Sequence, residues 1–415
     1  MRAADAINIA DLKALARRRL PRILFDVIES GVEDERGLAR NEAAFRDFRI
    51  LPRYLVDVRT RDPRVTLFGR RYAQPFGIAP TGFAGLFRRG ADAMLARAAA
   101  AAGVPFILSG ACVAKLEDVA AAAPGTIWYH LYAAKDPRIS EDLIRRAAAS
   151  GIEHLVLTVD NPVYPKRERD MRNGFSQPLK LRPSVLAEAL LHPGWIIEYL
   201  RGGGLPSMET WAHYAPQGAT PGEVGAFFRT QSPSVQTWHD LDWLRSLWAG
   251  RLIIKGIQHP DDARQAVAAG VDGIIVSNHG GKAFDPLPSP IETLPAVRAA
   301  VPPSTPVMLD SGVTRGTDIV IAHCLGADFV FTGRAPLYGV IADGEAGAAR
   351  AIAILADEID RALALMGCPE AAELSRAFLL PHGDDARRDP APRVAAHRED
   401  ARPTVHAARP GAKED

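Results

Sequence analysis

Short runs of apolar, β-branched and aromatic residues recur along the chain, each followed by a stretch of helical spacing rich in Ala, Leu and Arg. The runs are FGIAP (76–80), PFILS (105–109), TIWYHLY (126–132), HLVLTVD (154–160), RLIIKG (251–256), GIIVSN (273–278), PVMLDSG (306–312) and FVFTGR (329–334). They are too continuously apolar for strands with one wet face, so both faces are expected to be covered, as in a parallel sheet. Eight such strands alternating with helices predict an α/β fold closed into a (β/α)8 TIM barrel. An open doubly wound sheet is the competing arrangement, but no GxGxxG follows the first run.

Polar residues gather where these runs end: Thr81, Ser109, His130 with Tyr132, Thr158 with Asp160, Lys255, Ser277 with His279, Asp310, and Gly333 with Arg334. In a barrel all eight strand ends meet on one face, which is where this fold places its active sites. Taken singly, each residue reads as a solvated loop position; the joint pattern predicts a ring of chemistry.

Composition narrows the partners. Of 415 residues, 47% are hydrophobic and 24% charged, ordinary for a soluble globular protein with a large core. A formal net charge of +1 and the lack of a basic run interleaved with aromatics argue against nucleic acid and for a small-molecule substrate. Cys112, Cys324 and Cys368 are scattered without metal-ligand spacing, so no metal is expected and the thiols read as buried small hydrophobes in a reducing compartment. The first 21 residues lack an apolar signal core, and no run of 18 apolar residues follows, which predicts a cytoplasmic location.

Two kinds of loop carry specific chemistry. SNHGGKAFD (277–285) sets a titratable ring before two glycines, which allow a sharp turn and close approach of a bulky ligand. DSGVTRGTD (310–318) and TGRA (332–335) both join a strand to a helix through glycine, with Arg315 and Arg334 nearby. Loops after the seventh and eighth strands are the usual phosphate site of a barrel, so a phosphate-bearing cofactor or substrate is expected.

These stretches resemble the FMN-dependent 2-hydroxy acid oxidase and dehydrogenase family, which includes glycolate oxidase, L-lactate dehydrogenase and mandelate dehydrogenase. The resemblance runs from about residue 7 to residue 380 through LPRILFDVIESGVEDE, APTGFAGL, LTVDNP with KRERD after it, LIIKGI, VSNHGG, LDSGVTRGTD and TGR. APTGFAGL, with Gly82 after Thr81, is nearest the mandelate dehydrogenase branch. The resemblance implies FMN as cofactor and oxidation of an (S)-2-hydroxy acid to the 2-oxo acid. It implies His279 as the base, taking a proton from the substrate's α-carbon or hydroxyl, and Asp160 as the partner of the resulting imidazolium. It places Lys255 beside the flavin N1 and C2 oxygen, Arg167 on the substrate carboxylate and Tyr132 on the substrate's oxygen atoms. Pro80, Thr81, Gly82, Ser109, Thr158 and Ser277 match positions around the isoalloxazine; Asp310, Gly312, Gly333 and Arg334 match those around ribityl and phosphate. It also implies a homotetramer that passes electrons to a quinone or to O2.

Several positions depart from that pattern. Lys282 stands where the family usually carries an Arg that grips the carboxylate, and Lys lacks the planar fork, a loss that costs about 1–3 kcal/mol. With only eight lysines among 50 cationic residues, a passive Arg-to-Lys change is disfavoured. Phe25 falls at a substrate-binding Tyr, so it is expected to make the pocket more apolar. His130 replaces a flavin-contacting Gln, and Thr314 replaces the first Arg of the phosphate loop, leaving Arg315 to stand in. Together these point to a bulky or aromatic, mandelate-like acid, or to a carboxylate-free or peptide-derived substrate gripped in another way.

Residues 1–70 read as an N-terminal helical cap and 71–380 as the FMN-binding barrel. The stretch between the fourth and fifth strands is too long for a plain loop, so 171–240 is expected to be a lid or a membrane-docking insertion. Its segment 184–211 carries Trp195, Ile196, Ile197 and Tyr199, and a dock here would make the protein peripheral on the inner face of the membrane. From Pro381 the chain is rich in Pro and charge and is expected to be a disordered tail. Two rival functions remain: a non-redox flavin barrel such as type 2 isopentenyl diphosphate isomerase, and a family member that binds without turning over.

Overall fold

The computed structural model describes residues 1–175, 183–232 and 234–380. The expected tail, 381–415, and part of the insertion lie outside the described residues. All eight apolar runs form strands: β1 (Phe76–Ile78), β2 (Phe106–Ser109), β3 (Ile127–Leu131), β4 (His154–Thr158), β5 (Arg251–Ile257), β6 (Gly273–Val276), β7 (Val307–Leu309) and β8 (Phe329–Thr332). Each pairs in parallel with its neighbours, and β8 closes onto β1. The fold is a (β/α)8 barrel.

The barrel's inside explains why polar residues collect at strand ends. Ile107, Trp128, Val156, Ile253, Ile275 and Met308 form one buried inner layer. Because successive side chains alternate between faces, the residue two places on in each strand points the same way, one step nearer the C-terminal face. Those residues are Ser109, His130, Thr158, Lys255, Ser277 and Asp310. Register keeps them level: Ser109 lies beside His130, and Thr158 beside Lys255. The opposite end is plugged by an antiparallel ribbon, Val65–Leu67 with Arg70–Tyr72, whose Leu67 and Tyr72 join the inner layer.

The cap is fastened to the working face by polar contacts. Asn41, in helix Arg36–Ala43, and Asn278, just after β6, exchange buried amide hydrogen bonds of 2.8 and 2.7 Å. Helix Ile9–Arg19 packs against the carboxy-terminal span Arg334–Met366, which kinks at Asp343 and Gly344. Within the insertion, Tyr199 OH donates to Gly85 O at 2.6 Å, and the indoles of Trp195 and Trp211 donate to Leu86 O and Gly110 O. The first two bonds hold helix Pro193–Arg201 to the segment after β1 and the third ties Trp211 to the loop after β2, while Leu190, Leu191, Ile197 and Leu200 stay exposed. Among the described residues no helix is long and apolar enough to cross a membrane. Cys112, Cys324 and Cys368 are free and buried.

Candidate active site

The loop after β6 sets the geometry. His279 has φ +60°, a left-handed backbone that strains a non-glycine residue. It is held there by a network: His279 N donates to Ser277 Oγ, Gly280 N to Ser311 Oγ, and Gly281 N to Asn278 Oδ1. Gly281, at φ +77°, is required on a second ground, since a Cβ would lie 2.7 Å from the Leu38 backbone of the cap.

His279 is suspended between two partners. Its Nδ1 lies 2.9 Å from Asp160 Oδ1 and its Nε2 3.0 Å from Tyr132 OH. Burial alone would raise the Asp160 carboxyl, but attraction and hydrogen bonding from His279, with Lys255 and Thr158 behind, bring it to about 2. An ionised carboxylate only accepts, so Nδ1 carries the proton and Nε2 of the neutral ring presents a lone pair, to which Tyr132 donates. Burial raises the Tyr132 phenol, keeping it a donor. A proton arriving at Nε2 creates an imidazolium whose charge is balanced by Asp160, the arrangement a general base needs.

Behind this group Lys255 Nζ reaches Ser277 Oγ at 2.8 Å and Asp310 Oδ2 at 3.1 Å, and it is only 3% exposed. His130 is fully buried; burial, with Lys255 and His279 adding repulsion, holds it well below the usual histidine range and so neutral. Neither of its ring nitrogens has a partner, nor has Thr81 Oγ1, although all three atoms are buried. Buried polar groups without partners are costly, so a flat ligand edged with donors and acceptors fits the cavity of about 400 Å³ that His130 and Thr81 line. Gly312, Gly333 and Arg334 line the same cavity and supply the glycines and guanidinium of an anion-binding loop.

The expected residues are distributed unevenly. Tyr132, Arg167, Lys255, His279 and Lys282 line the cavity, as do Pro80, Thr81, Gly82, His130, Asp310, Gly312, Arg315, Gly333 and Arg334. Asp160, Ser109, Thr158 and Ser277 do not; they stand behind the lining, with Thr158 Oγ1 donating to Asp160 and Ser109 Oγ accepting from Ala111 N. Phe25 departs from expectation: it is buried under the Arg17 guanidinium, 5.5 Å from the ring centroid, and Val27 and Ile28 of the same helix reach the cavity instead. Arg315 is paired with Glu358 at 2.8 Å, while Thr314 N and Arg315 N donate to Asp318.

The cations around the substrate region also differ in their commitments. Lys282 Nζ donates to Val27 O at 2.9 Å and to Ser30 O, closing the C-terminal end of helix Arg22–Glu29. Burial, with repulsion from Arg334 and Arg167, pushes its ammonium well below the usual lysine range, Asp170 and Glu29 opposing. Arg334 shares the task, donating to Ile28 O and Gly280 O. Arg167 Nε, by contrast, is buried without a partner. Asn41, Asn278, Ser311 and Asp170, which support these groups, went unnoticed in the sequence; only the Asn next to the His279 loop carried any local signal.

Comparison with known proteins agrees with this geometry. The sequence pattern of the family described as FMN-dependent dehydrogenase matches residues 16–381. The chain is 42% identical over 377 residues to a Mycobacterium tuberculosis protein provisionally named an L-lactate dehydrogenase, covering 90% of this chain and 89% of that one. It is 38% identical over 379 residues to the (S)-mandelate dehydrogenase of Pseudomonas putida, covering 91% and 95% respectively. A crystal structure described as the monotopic membrane protein (S)-mandelate dehydrogenase superposes with a TM-score of 0.88 at 38% identity, over 91% of this chain and all of that one. An unpartnered flavin-sized cavity at the C-terminal mouth of a (β/α)8 barrel and a match across nearly the whole fold lead to one conclusion: the chain belongs to the FMN-dependent dehydrogenase family and is an FMN-dependent oxidoreductase.

Proposed function

We propose that the protein oxidises an (S)-2-hydroxy acid to the 2-oxo acid, with a bulky or aromatic, mandelate-like substrate. The observation that carries this reading is the His279 ring, held by Asp160 at Nδ1 and by Tyr132 at Nε2 and lining the same cavity as Arg167. FMN, when bound, supplies the two-electron acceptor. Pro80, Thr81, Gly82, His130 and Lys255 would hold its ring, and Asp310, Gly312, Gly333 and Arg334 its ribityl phosphate. His279 accepts the proton given up as the substrate's α C–H bond is broken, and Asp160 stabilises the imidazolium. Tyr132 orients the substrate oxygen, and Arg167, whose buried Nε has no partner within the protein, binds the carboxylate. Phe83 and Phe228, their rings edge to face at 6.5 Å, supply an apolar wall for an aryl group. A non-redox flavin barrel would have no use for the His279–Asp160 pair.

A second reading rests on Lys282. Its ammonium is spent on helix carbonyls, so the carboxylate subsite has one guanidinium and not two cations, which suits a carboxylate-free or peptide-derived substrate. The acceptor is a quinone or O2. The four exposed hydrophobics of 190–200 support a peripheral membrane contact delivering electrons to a quinone, and the mandelate dehydrogenase with a similar fold is described as monotopic. Anaerobic mixing of the holoenzyme with (S)-mandelate, (S)-lactate, longer 2-hydroxy acids and their amides, followed near 450 nm, tests the choice. Bleaching by the aromatic acids supports the first reading, bleaching by amides alone the second, and bleaching by none refutes both.

A further inference from the structure

The cations around the cavity divide into two groups. Five are already bound within the protein: Lys13 to Glu29, Lys255 to Asp310, Arg315 to Glu358, and Lys282 and Arg334 to backbone carbonyls. Among the described residues Arg167 and Arg229 have no ion pair, and Arg229 has only the ring of Tyr164 as partner. Arg167 is accounted for by the substrate's reacting end. Arg229 is not.

Arg229 follows Phe228 in helix Pro221–Gln231, and its guanidinium sits over the Tyr164 ring, 4.4 Å from the centroid. Tyr164 lies on the loop after β4 and is 50% exposed, so this pair stands where the cavity meets solvent. A cation in a helix's last turn ordinarily serves the helix dipole. Here, however, no carbonyl of the helix accepts from it, and the side chain reaches across to another loop. A guanidinium seated on a ring uses its face and keeps its in-plane N–H fork free, the geometry that receives a carboxylate. Phe228, the neighbour of Arg229 in the helix, lies 6.3 Å from the Tyr132 ring, itself 6.2 Å from that of His279, so the cavity that Arg229 and His279 share also has an apolar lining.

We propose that Arg229, braced on Tyr164, forms a second anion subsite at the cavity mouth and selects 2-hydroxy acids that carry a further carboxylate beyond an apolar spacer. This rests on the oxidation reading above, and the test separates the two. Binding of benzoylformate and 4-carboxybenzoylformate to the holoenzyme is read from the absorbance change of bound FMN, beside reduction by (S)-mandelate and (S)-4-carboxymandelate. The carboxylated oxo acid is expected to bind about tenfold tighter, as a charge-assisted contact at a partly exposed site gives, with the advantage shrinking in 0.5 M salt. In Arg229→Leu the ratio of the two dissociation constants is expected to fall to within about twofold of one, and Arg229→Lys to retain part of it. Equal binding in the wild-type protein, or an advantage that survives Arg229→Leu, overturns the subsite. An advantage lost in Arg229→Leu without FMN reduction by either hydroxy acid keeps the subsite and overturns the oxidation reading. If neither oxo acid perturbs the flavin, both fall.

Discussion

Replacing Asp160 by Asn keeps the size of the side chain and removes its charge. In the native site the carboxyl titrates at about 2 against an ordinary 3.8, although burial pushes it the other way. At 1.36 kcal/mol per pH unit, the net preference for its charged form is ~2 kcal/mol, and the attraction that overcomes burial is larger. That attraction is shared chiefly with His279, so the variant loses at least this much stabilisation of the protonated ring. An amide can also turn its NH2 toward Nδ1, which moves the ring proton to Nε2 and removes the lone pair that faces the cavity. The rate of anaerobic FMN reduction is therefore expected to fall by about 30- to 300-fold, with FMN content unchanged. Stopped-flow absorbance near 450 nm at saturating substrate measures it. A variant within threefold of wild type would mean that the carboxylate does not support His279.

Three further outcomes follow from the packing. Gly281→Ala adds a Cβ 2.7 Å from the Leu38 backbone at φ +77°, so about 2–4 kcal/mol of stability and part of the FMN retention should be lost; an unchanged melting temperature contradicts the docking of cap on loop. Burial raises the Asp92 carboxyl to about 6 in the folded state, so its contribution is intact below 3.8 and is lost as pH rises from there to about 6. Asp92→Asn should accordingly stabilise by ~2–3 kcal/mol more at pH 8 than at pH 4, and a pH-independent effect in thermal melts counts against it. Lys282→Met removes two bonds to helix carbonyls and should lower stability by about 1–3 kcal/mol while KM for a 2-hydroxy acid stays within threefold; a tenfold rise in KM with unchanged melting would return Lys282 to the carboxylate.

The barrel was legible because parallel strands covered on both faces read as unbroken apolar runs, and all eight appear where those runs lie. The polar strand ends were legible for the same reason, since two-residue alternation places them on the inner face above the apolar layer. The bottom ribbon was not, because RRY (70–72) puts two arginines in a three-residue strand and leaves only Tyr72 to signal burial. Phe25 was misplaced because Ile23, Leu24, Phe25, Val27 and Ile28 are all buried, and an all-apolar stripe does not reveal which side faces the core and which the cavity. The Lys282 contacts join positions 252 or more residues apart, and Arg229 reaches from its helix to Tyr164 on the loop after β4. Neither follows from local spacing.

The central claim is that His279 takes the proton as the substrate's C–H bond breaks. Single-turnover anaerobic reduction of FMN by (S)-mandelate, compared between wild type and His279→Gln with matched FMN content, tests it most directly. A loss of about 10²- to 10⁴-fold, with oxo-acid binding retained, is the expected result. Reduction in His279→Gln within tenfold of wild type would contradict it.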